Sequence, residues 1–133
     1  MTEGDIDVLA RTIYGEARGE QILGQQAVAH VVLNRVARRT WYGDSVKAVC
    51  LKPQQFSCWN HDDPNRDVIG TANFADKHFL RAYGVACLVC AGDVLDPTRG
   101  ATHYHHSSIT PTWVGTMTFL TMIGDHMFYV ERA

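Results

Sequence analysis

The chain has 133 residues, of which 46% are hydrophobic and 20% are charged, and its formal net charge is −2. This composition excludes an intrinsically disordered protein, and the length suits one globular domain with its own core. No basic run is longer than Arg38-Arg39, which argues against nucleic-acid binding, and no apolar stretch is long enough to span a bilayer.

Helical periodicity dominates the N-terminal two thirds of the chain. A capping-box pattern at Thr2 and Asp5 opens the first helix, which we expect to end at about Tyr14 because Gly15 and Gly19 interrupt the pattern. Further helices are predicted over 21–38, from 46 to Pro53, and over 71–91, with a loop of turn-forming residues over 53–70.

The C-terminal third of the chain is predicted to form β-strands. Residues 101–106 are a strand candidate, residues 116–123 and 126–131 are rich in strand-forming side chains, and Gly124-Asp125 is a type II′ hairpin signal. Helices followed by strands predict an α+β fold with a small antiparallel sheet.

Four cysteines allow two interpretations. Cys50 and Cys58 can close a short loop by a disulfide if the compartment is oxidising. Cys87 and Cys90 form a CxxC without a second pair at zinc-binding spacing, so we expect them to be small core residues.

Glu16 is the first candidate for acid–base chemistry. It ends an apolar helical run between Gly15 and Gly19, where a side chain can lie in the wall of a cleft. A carboxylic acid in partly dry surroundings keeps its proton to higher pH, as a general acid for glycosidic cleavage must. Glu20 is the second candidate, and both can instead be solvated helix-end carboxylates. Arg18 can hold a substrate carboxylate or pair with Glu20.

The predicted loop contains side chains that are typical of a saccharide groove. Gln55, Phe56 and Trp59 lie close together there, and Trp113 follows a proline further along. Aromatic rings stack on sugar faces and amides bond to sugar hydroxyls, but such rings can equally anchor a loop to the core.

Several histidines cluster in the first predicted strand. Strand alternation places His103 and His105 on one face, and Tyr104 and His106 on the other. These side chains can bond within a cleft, form a polar strand end, or build a three-histidine zinc site with His126. No HExxH or comparable spacing supports a metal site, so we expect neither a metal nor another cofactor.

Taken together, these segments resemble the SleB/CwlJ family of bacterial cell-wall hydrolases. The resemblance covers nearly the whole chain in the expected order. The motifs that carry it are Ala10–Glu20, Gly24–Val36, Val49–Pro53, Gln55–Ser57, Gly100–His105, Pro111–Trp113 and Ile123–Tyr129.

The resemblance implies one lysozyme-like catalytic domain over residues 1–133, similar to lytic transglycosylases. In such enzymes one Glu protonates the glycosidic oxygen between N-acetylmuramic acid and N-acetylglucosamine, and the muramic 6-hydroxyl attacks C1 to give a 1,6-anhydro product. Glu16 aligns with the family's catalytic Glu. Cleft roles carry over to Gln55, Phe56, Tyr104 and His105.

Three alternatives stay open. A hydrolytic glycosidase would need a second carboxylate, for which Asp62, Asp63 and Asp67 are the candidates. A metal-dependent N-acetylmuramoyl-L-alanine amidase would use the histidine cluster. A non-catalytic peptidoglycan-binding or virion structural module would bind the wall without turnover.

The expected partner is the peptidoglycan glycan strand, with no nucleic acid and no membrane insertion. The acidic N-terminus shows no secretory signal pattern, and no wall-binding repeat accompanies the domain. We therefore expect synthesis in the cytoplasm and action on the wall after release. This organisation looks more like a phage or prophage endolysin, delivered by a holin or a virion, than a germination enzyme.

Overall fold

Helix α1 carries the candidate acid and is longer than its sequence pattern predicts. In the computed structural model, which describes residues 1–132, α1 spans Glu3–Ala17 and begins with the predicted capping box. The helix continues through Gly15, where an added Cβ would lie 2.7 Å from the Cβ of Cys58. The predicted earlier end was wrong because Gly15 does not end the helix: its missing Cβ leaves room for Cys58 to pack closely, and the helix continues to Ala17.

Four further helices complete the helical part: α2 (Ile22–Arg38), α3 (Val46–Leu51), α4 (Asn65–Thr71) and α5 (Lys77–Cys90). The predictions for α2 and α3 are confirmed, but the segment predicted as a loop also contains a 3-10 turn at Ser57–Trp59 and most of α4. Helix α5 begins later than predicted because Asp76 caps it, accepting a bond from the His78 amide at 2.8 Å. None of the helices within residues 1–132 is both long and apolar enough to cross a membrane.

The strands form the predicted small antiparallel sheet. They are β1 (His103–His106), β2 (Met117–Ile123) and β3 (His126–Glu131), in the order β1-β3-β2. A 3-10 segment, Thr112–Thr116, precedes β2. The hairpin between β2 and β3 is confirmed, and Gly124 has a φ of +57°, as the first residue of a type II′ turn requires.

Two apolar clusters hold these elements together. The larger lies among the helices and includes Leu9, Ile13, Val32, Ile69 and Phe79. The smaller lies between α2 and the sheet and consists of Ala27, Val31, Ala101 and Phe128. Helix α2 contributes to both clusters, as its wide apolar circumference predicts, and it thereby sets the sheet against the end of α1.

The cysteines differ from expectation. Cys50 and Cys58 are buried free thiols, so the possible disulfide is not formed. Cys87 is exposed and Cys90 only partly buried, so the prediction of two core residues was wrong for Cys87. Its position on the outer face of α5 explains the error, because helix periodicity alone does not say which face meets the core.

Candidate active site

A cleft of about 460 Å³ opens beside the C-terminal end of α1, between the turn at residues 54–57 and the strands β1 and β3. Glu16 is the only carboxylate that lines it within residues 1–132. The other polar side chains on its walls are Arg35, Gln54, Gln55, Ser57, Tyr104, His105, His106 and His126. The cleft therefore offers one carboxyl group among many other hydrogen-bonding groups, together with one buried guanidinium.

Two donors hold the Glu16 carboxyl group. The Tyr104 hydroxyl donates to Oε1 at 2.6 Å, and the backbone N–H of Cys58 donates to Oε2 at 3.3 Å. The first bond is short and the second is long, so Oε2 is the less engaged oxygen. The carboxyl group is thus fixed in orientation while one oxygen can still exchange a proton with a ligand in the cleft.

Tyr104 is placed by the sheet. Its ring lies 5.7 Å from that of Phe128 and 5.0 Å from that of His126, centre to centre, on the sheet face that covers α2. Burial, together with the charge and hydrogen bond of Glu16, raises the pKa of Tyr104 well above its ordinary value. The phenol therefore remains a hydrogen-bond donor to Glu16 over the whole range in which carboxyl groups titrate.

Arg35 is a cleft residue that the sequence analysis did not single out. Its guanidinium is packed between aromatic rings, 5.2 Å from the ring centre of Tyr42 and 5.1 Å from that of Phe56. Nε donates to the Thr102 carbonyl at 2.7 Å, whereas Nη1 is buried and has no partner within residues 1–132. Burial lowers the pKa of Arg35. An arginine inside an otherwise apolar helix was the available signal, since buried arginines are rare.

Glu20 lies outside the Glu16 cleft. Because α1 ends at Ala17, the two glutamates do not share a helix face, and Glu20 lines a neighbouring cavity beside Gly124. Its Oε1 accepts a bond from the Asp125 amide at 3.1 Å and lies 3.3 Å from Nδ1 of His126. Burial lowers the pKa of His126, and the Glu20 carboxylate opposes that shift. Glu20 therefore ties the segment after α1 to the β2–β3 turn.

Three other predicted site residues also lie away from the cleft. Arg18 donates to the Tyr14 carbonyl and to Asn65, both at 3.0 Å, and does not pair with Glu20. Trp59 donates through Nε1 to Thr12 at 2.8 Å and borders a different cavity. Trp113 packs on the other face of the sheet, against His103, His105 and Tyr129.

Gln55, Phe56 and His105 line the cleft, as the resemblance implied. Phe56 is only 2% exposed, so it forms the floor of the cleft and also anchors the turn. Both ring nitrogens of His105 are engaged, Nδ1 with the His106 carbonyl at 2.8 Å and Nε2 with the Tyr129 hydroxyl at 3.0 Å. Gln55 is therefore the freer of the two polar side chains to meet a ligand.

The histidines of the proposed zinc site do not come together. His105 stacks on Tyr129 on one face of the sheet, whereas His126 contacts Tyr104 on the opposite face. Within residues 1–132, no group of three histidine, cysteine or acidic side chains is arranged to hold a metal ion. The strand alternation that separates these rings thus removes the site on which the amidase alternative depends.

A family model and the curated relatives that match this chain all describe enzymes that act on the cell wall or the spore cortex. The family model described as "Cell Wall Hydrolase" matches residues 19–129. A spore cortex-lytic enzyme of Halalkalibacterium halodurans is 32% identical over 128 residues, which are 96% of this chain and 35% of that protein. The one of Bacillus cereus is 31% identical, and the match covers 44% of it. The chain thus spans less than half the length of these curated relatives.

Solved structures give the same result for the fold. The catalytic domain of the germination-specific lytic transglycosylase SleB from Bacillus anthracis superposes with a TM-score of 0.71 at 30% identity, covering 97% of this chain and 96% of that one. The catalytic domain of the Bacillus cereus SleB protein also gives 0.71, at 28% identity, covering 96% and 91%. The predicted lysozyme-like α+β fold is confirmed.

Proposed function

The chain belongs to the cell wall hydrolase family, and from that premise we propose that it is a peptidoglycan glycosidase. It cleaves the bond between N-acetylmuramic acid and N-acetylglucosamine as a lytic transglycosylase, and residues 1–133 act as one catalytic unit. The observation that carries the proposal is the single carboxylate of the cleft, Glu16, held by Tyr104 and by the Cys58 amide.

In the first half of the reaction, Glu16 is the general acid. Its Oε2, which the Cys58 amide engages only at 3.3 Å, gives its proton to the glycosidic oxygen as the bond from C1 breaks. The carboxylate that results keeps both donors. Hydrogen bonds to a charged acceptor are stronger than those to a neutral one, so the Tyr104 bond stabilises the transition state more than the ground state.

In the second half, the same carboxylate is the general base. It accepts the proton of the muramic 6-hydroxyl while O6 bonds to C1 and closes the 1,6-anhydro ring. The proton has then moved from O6 to the leaving oxygen by way of Glu16, and no water is consumed. One carboxylate suffices for this sequence, which agrees with the lining of the cleft.

A hydrolytic route has weaker support. It would require a second carboxylate close to Glu16, either to activate water or to act as nucleophile. Of the three candidates, Asp62 lines the cavity that Trp59 borders, not the cleft, and Asp63 accepts a bond from the Asn65 amide at 2.8 Å. Asp67 lies in the first turn of α4 and is not among the residues that line the cleft.

Arg35 contributes a fixed positive charge beneath the cleft. It is 5% exposed and bonded to the Thr102 carbonyl, directly before the strand that carries Tyr104. A buried cation acts through a medium of low dielectric, so its field favours the negative charge that develops on Glu16. It also fixes the start of β1. Gln54, Gln55 and Ser57 on the opposite wall supply amides and a hydroxyl for the sugar substituents.

Mass spectrometry of the fragments released from purified peptidoglycan tests this proposal. A transglycosylase releases 1,6-anhydro-muramic ends. Reducing muramic ends would mean hydrolysis, reducing glucosamine ends would change the bond, free stem peptides would mean an amidase, and binding without fragments would mean a non-catalytic wall module. Each of these four results overturns the proposed reaction.

We also propose that a holin or a virion delivers the protein to the wall. The substrate of this family, the cell wall, lies outside the cytoplasmic membrane, so the protein needs a route to it. Expression in a bacterial host, with and without a holin, tests it. Lysis that needs the holin supports this route, and lysis without it contradicts holin dependence.

A further inference from the structure

A second cavity lies directly beside the Glu16 cleft. It has a volume of about 450 Å³ and shares Gln54 with the cleft, so the two spaces meet at the turn before the Ser57–Trp59 segment. Gln54 has a φ of +68°, a left-handed conformation that is uncommon for a residue with a side chain. Uncommon backbone of this kind tends to occur at ligand-binding positions, and here it marks the junction of the two cavities.

The charges on this second cavity are mainly positive, although the chain as a whole is acidic. Lys52 and Arg66 line it together with one carboxylate, Asp62. The ammonium group of Lys52 lies 5.5 Å from the ring centre of Trp41, and Arg66 bonds to Nδ1 of His61 at 2.5 Å. When Nδ1 of His61 accepts this bond, its other ring nitrogen carries a proton and is a further donor.

Trp59 gives the cavity a rigid aromatic wall. Its Nε1 is bonded to Thr12 in α1 at 2.8 Å, so the half-buried indole cannot turn freely. A fixed aromatic ring beside two cations suits an extended ligand that alternates small apolar groups with carboxylates. A neutral sugar would not need the cations.

We propose that this second cavity binds the peptide branch of peptidoglycan. The inference rests on the proposed function, because that places a muramic residue next to Glu16. The branch starts from the lactyl ether on C3 of that sugar and carries carboxylates, among them the free carboxyl group of its D-glutamate. It must leave the cleft beside the scissile bond, and the cavity that shares Gln54 with the cleft offers it the adjoining space. Lys52 and Arg66 then bind the branch carboxylates.

The test compares two substrates and two double variants. The substrates are glycan strands that carry stem peptides and the same strands stripped of peptides by an amidase. The test variant is Lys52→Gln with Arg66→Gln. The matched control, Lys77→Gln with Arg81→Gln, removes two exposed cations from α5, which lines neither cavity. Melting temperatures establish that both variants fold.

We expect the wild type and the control to prefer the peptide-bearing strands, and added salt to reduce that preference. The test variant should lose about fivefold in kcat/KM on the peptide-bearing strands, as for two partly exposed ion pairs, and nothing on stripped strands. Equal loss on both substrates, or no loss on either, would overturn the inference while the glycosidase assignment stands. A wild type that cleaves neither substrate would overturn both.

Discussion

The bond between Tyr104 and Glu16 should contribute to catalysis far more than to folding. Tyr104→Phe removes the hydroxyl that donates to Oε1 at 2.6 Å but keeps the ring contacts with Phe128 and His126. Water in the cleft can replace the lost donor, so the free energy of unfolding should change by less than about 1 kcal/mol.

The catalytic effect follows from a difference between two hydrogen bonds. A bond to a neutral acceptor contributes about 1 kcal/mol and one to a charged acceptor about 1.5–3 kcal/mol, so losing the phenol raises the barrier by about 0.5–2 kcal/mol. That increase corresponds to a fall in kcat of about 2- to 30-fold. Because the phenol hydroxyl is already bonded to Glu16, KM should stay within about twofold.

Initial rates of anhydro-muropeptide release, measured over a range of peptidoglycan concentrations, give both constants. Tyr129→Phe is the matched control, since its hydroxyl bonds to His105 at 3.0 Å on the other side of the sheet. It should leave kcat nearly unchanged. An unchanged kcat in Tyr104→Phe, or an equal fall in both variants, would refute the reasoning.

Three further predictions follow from the surroundings of the site. Gly15→Ala should destabilise the fold by about 1–3 kcal/mol and reduce activity, because the new Cβ would lie 2.7 Å from the Cβ of Cys58, whose amide bonds to Glu16. Gly84→Ala, in α5 and with open space around it, should instead stabilise by about 0.5–1 kcal/mol, and urea denaturation of both variants checks the contrast. Arg35→Met should lower kcat at least tenfold but change the free energy of unfolding by only about 1 kcal/mol. The reason is that the variant no longer has to bury a charge, which offsets the loss of the contacts that Arg35 makes. A large fall in the melting temperature would instead mean that the role of Arg35 is purely structural. Burial and the charges of Arg35 and Arg38 lower the pKa of His103 from 6.5 to about 4, so as the pH falls this imidazole is protonated in the unfolded chain before it is protonated in the folded one. The free energy of unfolding should therefore be highest above pH 6.5 and decrease as the pH falls to 4. His103→Asn should make that decrease smaller by about 1–2 kcal/mol, and an equally steep decrease in the variant would contradict this reasoning.

Local signals predicted much of the fold. The apolar circumference of α2 predicts contact with two neighbours, and Gly124-Asp125 predicts the β2–β3 turn, since each depends on nearby residues alone. The end of α1 was not predictable in this way. Gly15 looks like a helix end in the sequence, whereas in the structure its missing Cβ accommodates Cys58, a residue distant in sequence.

The site was partly predictable for the same reason. Glu16 and Tyr104 stand in recognisable motifs, whereas their contact joins positions that are 88 residues apart. Trp59 and Trp113 have the composition of a saccharide groove, but the structure turns one towards Thr12 and the other to the far face of the sheet. Arg35 interrupts the apolar circumference of α2, which was a signal, but helical periodicity alone does not say whether such a cation is buried.

The most direct test of the central claim compares Glu16→Gln with Glu20→Gln. Both changes remove one carboxylate and keep its shape, but only Glu16 lines the cleft, while Glu20 bonds to the amide of Asp125. With the rate of release of 1,6-anhydro-muramic ends as the readout, we predict a loss of about 10²–10⁴-fold in Glu16→Gln and less than about fivefold in Glu20→Gln. A Glu16→Gln protein that folds and still releases these ends at a rate near that of the wild type would contradict the account.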